Sequence, residues 1–111
     1  DTKDGSCIRD FIHVSDIAEI HYKVLEKINK LNNSQILNCG YNKGISVLEV
    51  AKMFKNQSSK KVEILISKRR KGDLVKIIAS NKKLKKFIKW KPKFNNLNTI
   101  VKSCINWEKR K

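Results

Sequence analysis

At residues 8–14 the apolar pattern has a period of two, and directly afterwards it changes to a period of 3.6. This switch limits the possible folds more than any other feature of the chain. Ile8, Ile12 and Val14 share one face of the first stretch, and Arg9, Phe11 and His13 share the other, as a strand requires. The second stretch places Ile17, Ile20, Val24, Leu25 and Ile28 on one helical stripe. Ser15 or Asp16 can cap it, and Asp16 with Glu19 has the spacing of a capping box. A strand that feeds straight into an amphipathic helix is the unit of an α/β fold. The pattern continues with a short strand at Gln35–Gly40 and a second capping box at Ser46 and Glu49. That box opens a helix with Val47, Val50, Ala51 and Phe54 inward. Val62, Ile64 and Ile66 alternate as a third strand, and Val75–Ala79 forms a fourth extended segment. Trp90-Lys91-Pro92 splits the tail into a brief basic helix near Asn81–Ile88 and a longer one. The longer helix starts at Asn95 or Asn96 and buries Leu97, Ile100, Val101, Cys104 and Ile105. A chain of 111 residues, 40% of them hydrophobic, has material for one such core and not for two.

Charge is the loudest bulk property, with a formal net charge of +16. Such an excess attracts phosphate polymers and anionic membranes. Yet it consists of 22 Lys against 4 Arg, spread along nearly the whole chain and accompanied by 14 Ile and 11 Asn. Readers of nucleic acid rely on Arg forks and interleaved aromatics. The Lys excess therefore reads as a solvated surface, with a nucleic-acid-binding module as the minority alternative. Cys7, Cys39 and Cys104 are odd in number and far apart, all within apolar patterns, which suits buried thiols in a reducing cytoplasm. No apolar run approaches the roughly 20 residues of a bilayer crossing. The opening Asp1-Thr2-Lys3-Asp4-Gly5 is turn chemistry rather than a targeting signal, and the only Met is Met53. The expectation is a piece of a longer chain.

Two places carry chemistry. Arg9 is a rare Arg inside an apolar strand of a Lys-rich protein. Where any cation would serve, this composition supplies Lys, so a planar multi-donor fork is wanted there. Its partner is either a carboxylate such as Asp10, in a structural ion pair, or a bound phosphate. Arg69-Arg70-Lys71-Gly72-Asp73 follows a predicted strand; Gly72 permits a tight turn, and Asp73 supplies an acceptor pair suited to ribose hydroxyls. A loop this short cannot track a polymer and suits a nucleoside diphosphate, unless it is an ordinary charged turn.

Read together, these segments resemble the UDP-glucose 4-epimerases, of the extended short-chain dehydrogenase/reductase class. Arg9-Asp10-Phe11-Ile12-His13-Val14-Ser15-Asp16-Ile17-Ala18 is similar to that family's Arg-Asp-(Tyr/Phe)-Ile-His-Val-x-Asp-(Leu/Ile)-Ala signature. Asp4-Gly5-Ser6-Cys7, Leu37-Asn38-Cys39-Gly40, Gly44-Ile45-Ser46-Val47, Arg69–Asp73 and Trp90-Lys91-Pro92 match further elements in collinear order. The resemblance implies a carboxy-terminal substrate-binding domain spanning residues 1–111, small and mixed α/β, without the cofactor-binding Rossmann domain. It implies that Arg9 and Arg70 hold the diphosphate of UDP-glucose or UDP-galactose and that Asp73 accepts from the uridine ribose. Arg69 is a weaker candidate, for a supporting ion pair. The parent enzyme would be a homodimer that epimerises through a 4-keto intermediate, with NAD bound by an amino-terminal domain. It would bind neither nucleic acid nor membrane. A related sugar-nucleotide epimerase or dehydratase is the nearest alternative. Ile77 stands where many relatives have a Tyr near the nucleotide, and Ser80 replaces an Asp before the next helix. Gly5, Gly40, Gly44 and Gly72 are isolated, with no Gly-x-x-Gly-x-x-Gly turn, and neither Tyr22 nor Tyr41 has a Lys four places on. The chain is thus expected to hold substrate and not to carry out the redox step.

Overall fold

The computed structural model describes residues 2–30 and 32–110. It is a mixed α/β unit in which a minimal sheet positions two pairs of helices. Strand β1 (Ile8–Arg9) pairs antiparallel with β2 (Ile45–Ser46), with Ile8 opposite Ser46 and Arg9 opposite Ile45. On the other side of β1 the segment around Lys76 runs parallel. Ile8 donates its amide to the Val75 carbonyl at 2.9 Å, and Ile77 donates to the Ile8 carbonyl at 3.0 Å. β1 is therefore the inner strand, and the loop that precedes residue 75 is delivered to its edge.

Helix α1 (Val14–Leu25) begins earlier than its sequence suggests. Its cap is His13, whose Nδ1 accepts from the Ser15 amide, and not Ser15 or Asp16. The alternating stretch accordingly stops at Arg9, and Val14, expected on a strand, is a first-turn helix residue that is 72% exposed. The stripe is right at its centre and wrong at its end. Ile20 is buried and Ile17 and Val24 are half-buried, but Leu25 and Ile28 are exposed, because the helix ends at Leu25 and a 3-10 turn follows at Ile28–Lys30. Helix α2 (Val47–Gln57) opens as read, with Ser46 Oγ accepting from the Glu49 amide at 3.0 Å. Helix α3 (Lys82–Phe87) is the short basic helix, and α4 (Leu97–Glu108) is capped by Asn96, which accepts from the Thr99 amide.

Two apolar clusters result. Ile20 of α1, Leu84 of α3, Tyr41, Ile88 and Trp90 form the main core, with Ile12, Val24, Leu37, Cys39, Phe87 and Ile100 packed around it. Tyr41 and Trp90 lie parallel there, centroids 6.4 Å apart. Each fully buried aliphatic chain such as Leu84 contributes about 1.5–3 kcal/mol. The second cluster joins α2 to α4, where Val101 is completely buried.

Two expected strands do not form among the described residues. Residues 35–40 and 62–66 carry no ladder, and Ile36, Leu65 and Ile66 are 84%, 88% and 87% exposed. A strand needs a neighbour to exhaust its backbone hydrogen bonds, and these segments have none among the described residues. The radius of gyration, 16.7 Å, also exceeds the roughly 13 Å of a compact domain of this size. Of the three cysteines expected to be buried, Cys7 and Cys39 are half-buried and Cys104 is exposed. Burial pushes the Cys39 thiol up from its ordinary value.

Candidate diphosphate-binding site

Strand β1 and the loop before residue 75 line an open cleft of about 780 Å³ that presents Arg9, Lys68, Arg69, Arg70 and Asp73. Arg9 reaches it from β1. Its Nη1 donates to the Ile8 carbonyl at 2.8 Å and to the Leu74 carbonyl at 2.9 Å, while Nη2 lies 4.0 Å from Asp73 Oδ1. Two carbonyls thus fix one end of the fork and leave the other end directed toward the loop. The alternative partner, Asp10, is engaged elsewhere. Its two oxygens accept from the Tyr41 amide at 3.1 Å and the Asn42 amide at 2.9 Å.

The loop closes on itself. Asp73 donates its amide to the Arg70 carbonyl at 3.3 Å, with Gly72 at φ +88° in the third place of the turn. That conformation suits glycine and strains other residues. Arg69 Nη2 donates to the Asp73 carbonyl at 2.8 Å, and Arg70 Nε donates to Asp73 Oδ2 at 3.1 Å. Arg9, Arg70 and Asp73, up to 64 positions apart in the chain, therefore meet in one cleft. Arg69 braces the loop backbone rather than the carboxylate. Arg9 and Asp73 are about one quarter exposed and Arg70 is 85% exposed, so a ligand can reach all three.

The fold also holds a polar hub that the sequence did not reveal. Asp16, fully buried, accepts from the Tyr41 hydroxyl at 2.5 Å and from the Lys93 and Phe94 amides, each at 3.0 Å. Burial pushes this carboxyl upward, but the Tyr41 hydroxyl and the two amides outweigh it and hold it below the usual carboxylate range. Burial, then the bond to Asp16, raises the Tyr41 phenol well above its ordinary value. The Tyr41 oxygen also accepts from the His13 amide at 3.1 Å, and His13 stacks on Phe94 with centroids 4.6 Å apart. His13 is a satisfied structural histidine, as a residue on a mixed face suggests. Asp10 holds the turn that follows Gly40, where a Cβ would come within 2.6 Å of Ala79 and of Asp10 itself. The available signal was scarcity. With only 10 acids in the chain, two Asp within an apolar segment call for partners. Among the described residues no group of three or more His, Cys, Asp or Glu could hold a metal ion, and no helix is long and apolar enough to cross a membrane.

Residues 2–40 match the NAD dependent epimerase/dehydratase family. More particularly, the chain resembles UDP-glucose 4-epimerases over its whole length. It is 38% identical to that of Azospirillum brasilense across 98% of this chain and 31% of the relative. The UDP-Glc/GlcNAc 4-epimerase of Campylobacter jejuni superposes with a TM-score of 0.86 at 41% identity, over 100% of this chain and 33% of that one. The UDP-glucose 4-epimerase of Bifidobacterium longum, solved in complex with NAD+ and UDP, gives 0.81 at 31% identity, over 99% and 32%. The chain spans about a third of the length of the proteins it matches.

Proposed function

We propose that this chain is the carboxy-terminal, UDP-sugar-gripping domain of a UDP-glucose 4-epimerase that interconverts UDP-glucose and UDP-galactose. The observation that carries the reading is the convergence of Arg9 and Arg70 on one carboxylate in an accessible cleft. Two guanidinium forks at that spacing suit the two phosphates of a nucleoside diphosphate, which a fork can bind bidentately. Asp73, half-buried beside them, is an acceptor for ribose hydroxyls. In this reading the grip holds the part of the substrate that does not react, so the sugar can turn without the nucleotide leaving. Binding energy from an unreacting group is what orients a substrate for chemistry elsewhere.

The glycines here do not form the Gly-rich turn that a dinucleotide needs, so NAD does not fit this chain and falls to the rest of the enzyme. Bound there, that cofactor would supply hydride exchange at the sugar C4. The exposed Ile36, Leu65, Ile66, Leu74 and Ile77 suit a domain that packs against a larger one. The full enzyme is expected to be a homodimer, and three free thiols suit a reducing cytoplasm.

Calorimetric titration of the full-length enzyme with UDP tests the assignment. Replacing either cation removes charge-assisted bonds, and Arg70→Ala or Arg9→Ala is expected to raise Kd by about tenfold or more. A nucleic-acid module would instead bind DNA or RNA with a steep salt slope, insensitive to Arg70→Ala.

A further inference from the structure

Asp73 is the one acid among the described residues lining a cleft that also presents Arg9, Lys68, Arg69 and Arg70. Its two oxygens are turned to different cations. Oδ1 lies 4.0 Å from Arg9 Nη2, and Oδ2 accepts from Arg70 Nε at 3.1 Å. The loop fixes it in that place through the Asp73 amide bond to Arg70, the Arg69 bond to the Asp73 carbonyl and the positive φ of Gly72. A carboxylate from within thus occupies the space between the two forks that would receive an anion.

We infer that Asp73 is a specificity-determining residue, an internal competitor that makes the grip reject anions lacking hydroxyl donors. The inference rests on the reading of Arg9 and Arg70 as a diphosphate grip. An anion that enters between the arginines displaces the carboxylate from both. An ionised carboxylate can only accept hydrogen bonds, so it then needs new donors. The vicinal diol of a nucleoside brings two O–H donors alongside its phosphates and restores those bonds. Inorganic pyrophosphate brings none, and its charge repels the carboxylate. Discrimination of this kind comes from a built-in repulsive element as much as from attraction to the right ligand.

The test compares UDP with inorganic pyrophosphate on the full-length enzyme, as purified, by titration calorimetry, for the parent and Asp73→Asn. Asn keeps the side-chain shape and one carbonyl acceptor but loses the charge. Pyrophosphate is expected to bind about two- to fivefold more tightly to the variant, as loss of a partly exposed carboxylate partner implies. UDP is expected to gain nothing or to weaken, so the preference for UDP falls by at least that factor. Equal tightening of both ligands would mark a general charge effect and overturn the inference, as would unchanged or weaker pyrophosphate binding. Arg9→Ala and Arg70→Ala in the same series keep the two ideas apart. If both retain UDP affinity, the grip itself is misassigned. If they lose it while Asp73→Asn fails to discriminate, only the role of Asp73 as competitor falls.

Discussion

Arg9 divides its guanidinium between two tasks, with Nη1 tied to the Ile8 and Leu74 carbonyls and Nη2 facing Asp73. A Lys at that position could not do both, since its ammonium is a single point. Asp16 shows the same economy with a different purpose. One carboxylate satisfies the Tyr41 hydroxyl and two amides 77 and 78 positions away, and so fastens the chain after Pro92 to α1. Asp16→Ala would leave the buried Tyr41 hydroxyl unpaired, at about 1–3 kcal/mol, and would free the two part-buried amides as well. Urea unfolding of the full-length enzyme should show a clear fall in midpoint, and a wild-type midpoint would contradict the hub. Arg9 was legible in the sequence because an Arg amid Lys is a chemical choice. The spacing of Asp16 to Glu19 imitates a capping box, whereas its partners lie far along the chain. No local pattern carries a contact of that range.

Helices were readable where their start signals were local. Ser46 at the head of α2 and Asn96 at the head of α4 accept from the amides three residues on, as their sequence context indicates. Ser46 is also a joint, since its hydroxyl donates to Asp4, whose other oxygen accepts from Ser6. The Ser46 bond, then those from Ser6, hold the Asp4 carboxyl below its ordinary value. Ser46→Ala removes both the cap and the joint, and the cap by itself is worth about 1 kcal/mol. Helix α2 also packs on α4, so thermal unfolding should fall by a few degrees while UDP affinity is retained. Strands were much less readable. Residues 35–40 and 62–66 have the apolar alternation of strands, yet pairing depends on what lies beside them. Among the described residues Ile8–Arg9 realises the pattern with neighbours on both sides, and the expected extended segment at Val75–Ala79 supplies one of those neighbours.

As a whole, the molecule presents two apolar clusters and segments without regular structure that expose apolar side chains, at a radius of gyration of 16.7 Å. The mixed α/β character was visible in the order of its segments; the openness was not, because periodicity cannot say which face has a partner. Its pH response follows from the hub. The folded carboxyl of Asp16 titrates below its ordinary value, so the unfolded chain binds more protons at mildly acid pH. The stability Asp16 contributes is complete above its unfolded value of about 4 and is lost as pH falls through the lower folded value. Tyr41 acts in the opposite sense. Its phenol is raised, so its contribution is complete below the unfolded value of about 10 and is lost as pH climbs further. Denaturant midpoints followed from pH 7 down to 3 should therefore decline in the acid limb, and Asp16→Asn should flatten that decline. An equally steep limb in the variant would place the acid sensitivity elsewhere.

The central claim is that charged side chains far apart in the sequence form one grip for a nucleoside diphosphate. Calorimetric titration of UDP into the full-length enzyme, with Arg70→Ala beside the parent, tests it most directly. The account predicts saturable binding by the parent and a Kd raised about tenfold or more in the variant, at an unchanged unfolding midpoint. Equal UDP affinity in the two proteins would contradict it.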